Sequence, residues 1–214
     1  MNSKLRKLII ACVRRTYRLP FVNSLHLRGA KLEASRATLL RTSMDCQGRN
    51  NVIRFEDGCM VRNCRIYVRG DNNQVCFHKD AYAKSAELWL QGDNNRIEIG
   101  KDTSLCGQIH LACIEGTAIE FGEDCLCSSE IVVRTGDSHS ILDEQGNRTN
   151  PSMDVTIGDH VWIGHRAILL KGAHIPSNSI VGTAAVVTKR FEEERVCLAG
   201  VPARVVKRNV FWKT

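Results

Sequence analysis

Apolar residues in the C-terminal part of the chain recur at every sixth position. Ile157, Ile163, Leu169, Ile175, Val181 and Val187 keep the step without a slip, and Gly158, Gly164 and Gly182 each follow one of them. A helix does not produce this pattern, because its apolar positions return at three and four residues and a step of six soon leaves one face. Upstream the period lengthens. GRNNVIRF, GDNNQVCF and GDNNRIEI begin at Gly48, Gly70 and Gly92, 22 residues apart, and the register continues through Ile53, Val75, Ile97 and Ile119 and through Phe55, Phe77, Ile99 and Phe121. Between them lie the extended patches Ile66 to Val68, Leu88 to Leu90, Ile109 to Leu111 and Ile131 to Val133, apolar at alternate positions as a strand with one buried face requires. Gly and Asn at the start of each unit suit corners with positive φ.

The pattern predicts stacked coils of short parallel strands, with three hexads per turn late in the chain and a somewhat longer turn before that. The fold class expected is all-β, a left-handed parallel β-helix over residues 31–195, with a tail over 196–214. Composition agrees. Aromatic residues make up only 6% of the chain, so small and β-branched side chains must fill the core.

The first 30 residues carry Lys4, Arg6, Lys7, Arg14, Arg15, Arg18 and Arg28 and no acid, which equals the whole net charge of +7. Leu5, Leu8, Ile9, Cys12 and Val13 fall on one helical face, and Pro20 gives a stop. A basic amphipathic helix is expected there, within residues 1–30. It reads as a cap on the first coil, with contact between residues 1–19 and an anionic membrane surface as the alternative. Its apolar run is too short to span a bilayer or to serve as a secretory signal. The ten cysteines form no CxxC pair, so they are expected to be reduced, buried thiols of a cytoplasmic protein, with no metal.

One segment breaks the repeat. Between Val133 and Val155 the polar stretch RTGDSHSILDEQGNRTNPSMD, about 134–154, leaves the coils, and such an excursion from a regular scaffold is where function concentrates. It holds His139, flanked by Asp137 and Asp143. An imidazole has the intrinsic pKa for a general base near neutral pH. Asp137 and Asp143 are expected either to orient it or to be solvated loop acids. His26, His78 and His174 show no companion residues, and His110 falls in a register otherwise held by apolar residues, so all four are read as structural. His160 and His165 lie on coil corners near Trp162, whose place before the inward Ile163 makes it an outward indole.

The hexads IGDHVWIGHRAILLKGAHIPSNSIVGTAAVVTK, followed by LAGVPARVVK, resemble the C-terminal half of the hexapeptide-repeat acetyltransferases, which include maltose and galactoside acetyltransferases and the O-acetyltransferases of capsule and lipopolysaccharide. The resemblance covers residues 130–207 closely and earlier coils in pattern only. It implies transfer of acetyl from acetyl-CoA to a sugar hydroxyl, with His139 as the base. It also implies a homotrimer with CoA between neighbouring β-helices and a glycan acceptor; the location expected from the cysteines and the basic N-terminal segment is the cytoplasm, free or at the inner face of the membrane, and no nucleic acid partner is expected. By the same resemblance Trp162 packs on the donor, a subunit-interface aromatic being the alternative, and His165, Thr183, Thr188, Lys189, Arg204 and Lys207 line the CoA groove. Two departures bear on individual contacts: His165 replaces a small residue, and one extra residue separates Thr188 from AGVPA. N-acylation of a nucleotide-linked amino sugar is the second reading, weakly disfavoured because no separate nucleotide-sugar domain precedes the coils. A catalytically silent scaffold is the third, and a serine acetyltransferase is disfavoured, since residues 1–30 have no room for the large helical N-terminal region of that family.

Overall fold

Each repeat unit supplies three extended patches separated by corners, and each patch pairs with its counterpart one unit on. The computed structural model describes residues 19 to 213 except Pro20 and Ser35. The expected amphipathic helix lies outside the described residues, apart from Leu19.

The chain winds as a left-handed β-helix of about seven turns. The first coil holds β1 (Ser24–Glu33) and β2 (Thr38–Leu40), and the second β3 (Ser43–Phe55) and β4 (Met60–Arg62). The third holds β5 (Arg65–Arg69), β6 (Gln74–Phe77) and β7 (Tyr82–Lys84), and the fourth β8 (Ala86–Gln91), β9 (Arg96–Ile99) and β10 (Ser104–Leu105). The fifth holds β11 (Ile109–Ile114), β12 (Ala118–Phe121) and β13 (Leu126–Cys127), and the sixth β14 (Ile131–Arg134), β15 (Val155–Ile157) and β16 (Trp162–Ile163). The seventh holds β17 (Ile168–Leu169), β18 (His174–Ile175) and β19 (Ile180–Val181), and β20 (Val186–Val187), β21 (Val196–Gly200) and β22 (Ala203–Arg208) close the stack.

These strands make three faces of a prism. The first face is the start of β1 and β3 with β5, β8, β11, β14, β17 and β20; the second is the end of β1 and β3 with β6, β9, β12, β15 and β18. The third runs from β2 through β4, β7, β10, β13, β16 and β19 to β21, after which β22 turns back antiparallel. Inward residues stack in register: Met44, Ile66, Leu88, Leu111, Val133, Leu169 and Val187 form one column of the first face. The six hexad residues all point inward, with Ile157 3% exposed and the other five fully buried. Burying one such side chain contributes about 1.5–3 kcal/mol, so the column repeats its stabilisation at every turn.

The corners explain the Gly–x–Asn signature. Asn50, Asn72 and Asn94 take φ of 58°, 59° and 61°, and the glycines two residues earlier are also positive. A Cβ on Gly48 would stand 1.9 Å from the carbonyl oxygen of Gly70, so consecutive corners stack too closely for any side chain there. Just inside, Asn51, Asn73 and Asn95 form a buried ladder in which the Asn51 Oδ1 accepts from the Asn73 N–H at 2.8 Å and the Asn73 Oδ1 from the Asn95 N–H at 2.9 Å.

Several expectations are revised. The boundary at residue 31 falls inside β1, because the first coil already begins at Ser24. Residue 196 opens β21, which pairs parallel with β19 and so completes the third face before the tail begins. His110 does not sit in an apolar register: it faces outward between Glu87 and Val132, since strand alternation puts its neighbours Ile109 and Leu111 inside. Among the described cysteines all are free thiols and six are buried, but Cys106 is exposed at a corner.

Candidate functional site

The excursion leaves the first face after β14 and re-enters the second at β15, so it stands on the edge where these faces meet. Side chains from the coils on either side hold it there. Thr135 is fully buried, and its Oγ1 accepts from the Ile114 N–H at 3.1 Å and from the Thr117 hydroxyl at 2.7 Å. Glu115, on the coil before, takes Arg148 at 2.9 Å and the Ser152 hydroxyl at 2.7 Å, while Lys171, on the coil after, donates to Asp137. The loop tip is a small hairpin: Leu142 and Arg148 form an antiparallel bridge, and the Asp143 carboxylate caps the turn by accepting from the N–H groups of Gln145 and Asn147 at 3.0 and 2.8 Å.

His139 is exposed on this loop, following Ser138 at φ 67°. Its backbone, rather than its ring, is held. Asn150, only 7% exposed, donates from Nδ2 to the His139 carbonyl and to the Asp137 carboxylate, both at 2.8 Å, and its Oδ1 accepts from the Ile141 N–H at 2.7 Å. No hydrogen bond reaches the His139 imidazole among the described residues, which leaves both ring nitrogens available to a reacting group. Neither Asp137 nor Asp143 touches the ring: the first is committed to Lys171 and Asn150, the second to the turn. These bonds hold both carboxyls below the usual range, Asp137 chiefly through Lys171 and then Asn150, Asp143 chiefly through the Asn147 backbone. Glu115 is lowered likewise, first by Arg148 and then by Ser152. Asn150 carried no sequence signal, since one asparagine in a polar loop looks like any other.

Trp162 lies elsewhere. It projects outward from β16 on the third face, 40% exposed, across the prism from the edge that carries the loop. There it meets Trp212 of the tail, ring centres 6.4 Å apart. Trp212 also stacks on His160 at 4.1 Å and donates its indole N–H to the His160 carbonyl at 3.0 Å, and His160 Nδ1 lies 2.8 Å from Asp124. Trp212 was missed in the sequence because it lies outside the repeat. His160 is thus packed into an aromatic and acidic nest.

The expected donor residues are spread similarly. His165 and Thr183 occupy successive corners between the third and first faces, with His165 Nδ1 2.9 Å from the Ser129 hydroxyl. Thr188 and Lys189 are exposed just after β20, on the same edge as the loop. Arg204 and Lys207 are exposed on β22, beyond the third face. One chain therefore does not bring His139 and Trp162 to one place.

No family model matches the chain. A polysialic acid O-acetyltransferase of Neisseria meningitidis is 32% identical over 172 residues, 80% of this chain and 79% of that protein. A polysialic acid O-acetyltransferase of Escherichia coli O1:K1 is 30% identical over 96 residues, 44% of this chain but 31% of that protein's length. Among solved structures, the polySia-specific acetyltransferase NeuO superposes with a TM-score of 0.80 at 25% identity, over 90% of this chain and 82% of that one.

Proposed function

Because the chain belongs to the hexapeptide-repeat acetyltransferases, we propose that it transfers acetyl from acetyl-CoA to a sugar hydroxyl of a surface polysaccharide or lipopolysaccharide, with His139 as the general base. The observation that carries this reading is a loop held in place by three carboxylates and Asn150, presenting an imidazole with both nitrogens free. A scaffold needs no such presentation. An alcohol is a weak nucleophile toward a thioester until its proton is being removed. The His139 imidazole takes that proton as the hydroxyl oxygen attacks the acetyl carbonyl, and then returns it to the departing thiolate.

The donor side is read mainly from the third face and its edge with the first, with Thr188 and Lys189 on the loop's own edge. Trp162 packs on the pantetheine end of acetyl-CoA, and the His165, Thr183, Thr188, Lys189, Arg204 and Lys207 positions line its path, with the tail completing the groove. Since His139 and Trp162 stand on different sides of one β-helix, the reading requires a second copy to bring a Trp162 to each His139, and a closed ring of three does this with one kind of interface. The acceptor class follows the relatives, which are named for polysialic acid. Among the described residues no helix is long and apolar enough to cross a membrane. The reading takes the enzyme to act in the cytoplasm, where acetyl-CoA is made, with residues 1–19 available to hold it at the inner membrane face.

A panel of sialylated, neutral and nucleotide-linked amino-sugar acceptors, assayed for CoA release, tests the proposal. Acceptor-dependent release with a polysaccharide is expected. Release that depends on the amino sugar alone would move the assignment to N-acylation, and release independent of any acceptor would remove the sugar assignment.

A further inference from the structure

The second face carries a group of side chains that the acetyl-transfer reading does not use. Its outward column runs Arg54, Cys76, Glu98, one residue from each of three consecutive coils, and beside it at the next corner stand Glu56 and His78. The ligand atoms of Glu56, Cys76 and His78 all lie within 4.8 Å of one another. His78 Nδ1 is 3.2 Å from Glu56 Oε1 and 4.0 Å from the Cys76 sulfur. Bonds of about 2.0–2.3 Å at tetrahedral angles set ligand atoms roughly 3.3–3.6 Å apart, so closing on an ion requires the Cys76 sulfur to approach His78 by roughly half an ångström and the widest pair of the set to close by up to about 1.3 Å.

The geometry points to a divalent transition-metal site of the zinc class, bound by Cys76 Sγ, His78 Nδ1 and Glu56 Oε1, with a water completing the tetrahedron. The chemistry of the set is selective: a thiolate, an imidazole and one carboxylate suit zinc, whereas calcium and magnesium take oxygen ligands. The surroundings orient these ligands. The second oxygen of Glu56 accepts the Lys79 N–H at 3.0 Å, which turns Oε1 toward His78. The far nitrogen of His78 lies 3.7 Å from Glu98, too long for a hydrogen bond, so that a small closure on an ion would bring the carboxylate into the contact that orients a ligating histidine. Arg54, the cation below Cys76 in the column, is bound to Glu33 at 2.6 Å and so does not oppose an ion. A groove of about 340 Å³ bordered by Glu56, His78, Glu98 and Lys101 opens beside the cluster and gives a way in. Spacing motifs miss such a site because Glu56 lies one full coil away from Cys76 and His78.

An ion here clips two coils, that of Glu56 and that of Cys76 and His78, so it should raise the melting temperature of the full chain. The test is titration of the metal-depleted full-length protein with Co²⁺, followed by its absorption, and with Zn²⁺ by calorimetry. One ion per chain is expected, with a thiolate-to-cobalt charge-transfer band that Zn²⁺ bleaches. Cys76→Ser should abolish the band and Cys106→Ser should keep it, since Cys106 is the exposed thiol. His78→Gln should weaken binding at least as strongly as Glu98→Gln, for which about 10- to 100-fold is expected. Each variant is checked for an unchanged circular-dichroism spectrum. A band that persists in Cys76→Ser, or no thiolate band at one equivalent of cobalt in the parent protein, overturns the site and leaves His78 as a hydrogen-bonded partner of Glu56. A variant that loses its β-sheet spectrum is replaced by Cys76→Ala under the same criterion.

Discussion

Asn150 donates to the carbonyl of His139 at 2.8 Å and, through the same amide nitrogen, to Asp137, so the position of the imidazole depends on a residue that never contacts it. Asn150→Ala removes both donations and leaves the Ile141 N–H without its acceptor. Turnover should fall by about 10- to 100-fold, the usual loss when an orienting partner is deleted. The KM for acetyl-CoA should change little, because the donor groove is built from other residues. Steady-state kinetics that show the reverse pattern, intact turnover and a raised donor KM, would remove Asn150 from this role.

His139→Ala is expected to lower turnover by on the order of 10² to 10⁴ while acetyl-CoA binding measured by calorimetry stays near the parent value. Trp162→Ala should show the opposite emphasis, with weaker CoA binding and a smaller change in turnover at saturating donor. If His139→Ala turns over normally while a change at His110 or His160 abolishes activity, the base lies elsewhere.

Because His139 and Trp162 stand on different sides of one β-helix, chains carrying one defect should rescue chains carrying the other. Co-refolding His139→Ala with Trp162→Ala in equal amounts should restore about a quarter of the parent sites in a randomly mixed ring, each taking an intact histidine from one chain and an intact tryptophan from the next. Activity is read at low acetyl-CoA, where both parents are weak. An unchanged rate after mixing would place the two residues in one chain's site.

The loop should be loosened by acid before the coils are. Asp137 and Asp143, with ordinary values of 3.8, and Glu115, with 4.5, are all held lower in the folded chain. A depressed carboxylate contributes stability that is complete above its unfolded value and is lost as pH falls through the folded one. Loop order should therefore be constant from neutral pH down to about 4.5 and decline below about 4. These groups are largely exposed, so the effect is local rather than global. Limited acid proteolysis of residues 136–153 between pH 5 and 2.5 checks it, and Asp137→Asn should blunt the response. Cleavage independent of pH would show that the carboxylates do not hold the loop.

Ile175→Asp places a charge in a fully buried column with no partner. Burying an unpaired carboxylate costs more than about 4 kcal/mol, enough to unfold the C-terminal coils of a domain of ordinary stability. A urea melt should show an early transition or no native baseline. A variant as stable as the parent would mean that residue 175 does not face the interior.

How far each feature could be read in the sequence follows from how local its cause is. The coil period, the inward hexads and the Gly–x–Asn corners were legible because alternation and positive φ are dictated residue by residue, and the repeat states the same demand many times. His139 was conspicuous because it interrupts that repetition. Trp212 and the Glu56, Cys76 and His78 cluster were not legible, since each depends on which coil comes to lie against which. Asn150 was not legible because the loop's own folding chooses its partners. The outward setting of His110, by contrast, follows from the alternation of Ile109 and Leu111. The sequence by itself determined a left-handed β-helix with one polar loop bearing a histidine. Only the tertiary structure decided that this histidine and Trp162 stand on different sides of the prism, because the winding of the coils, and no local preference, assigns each residue to a face.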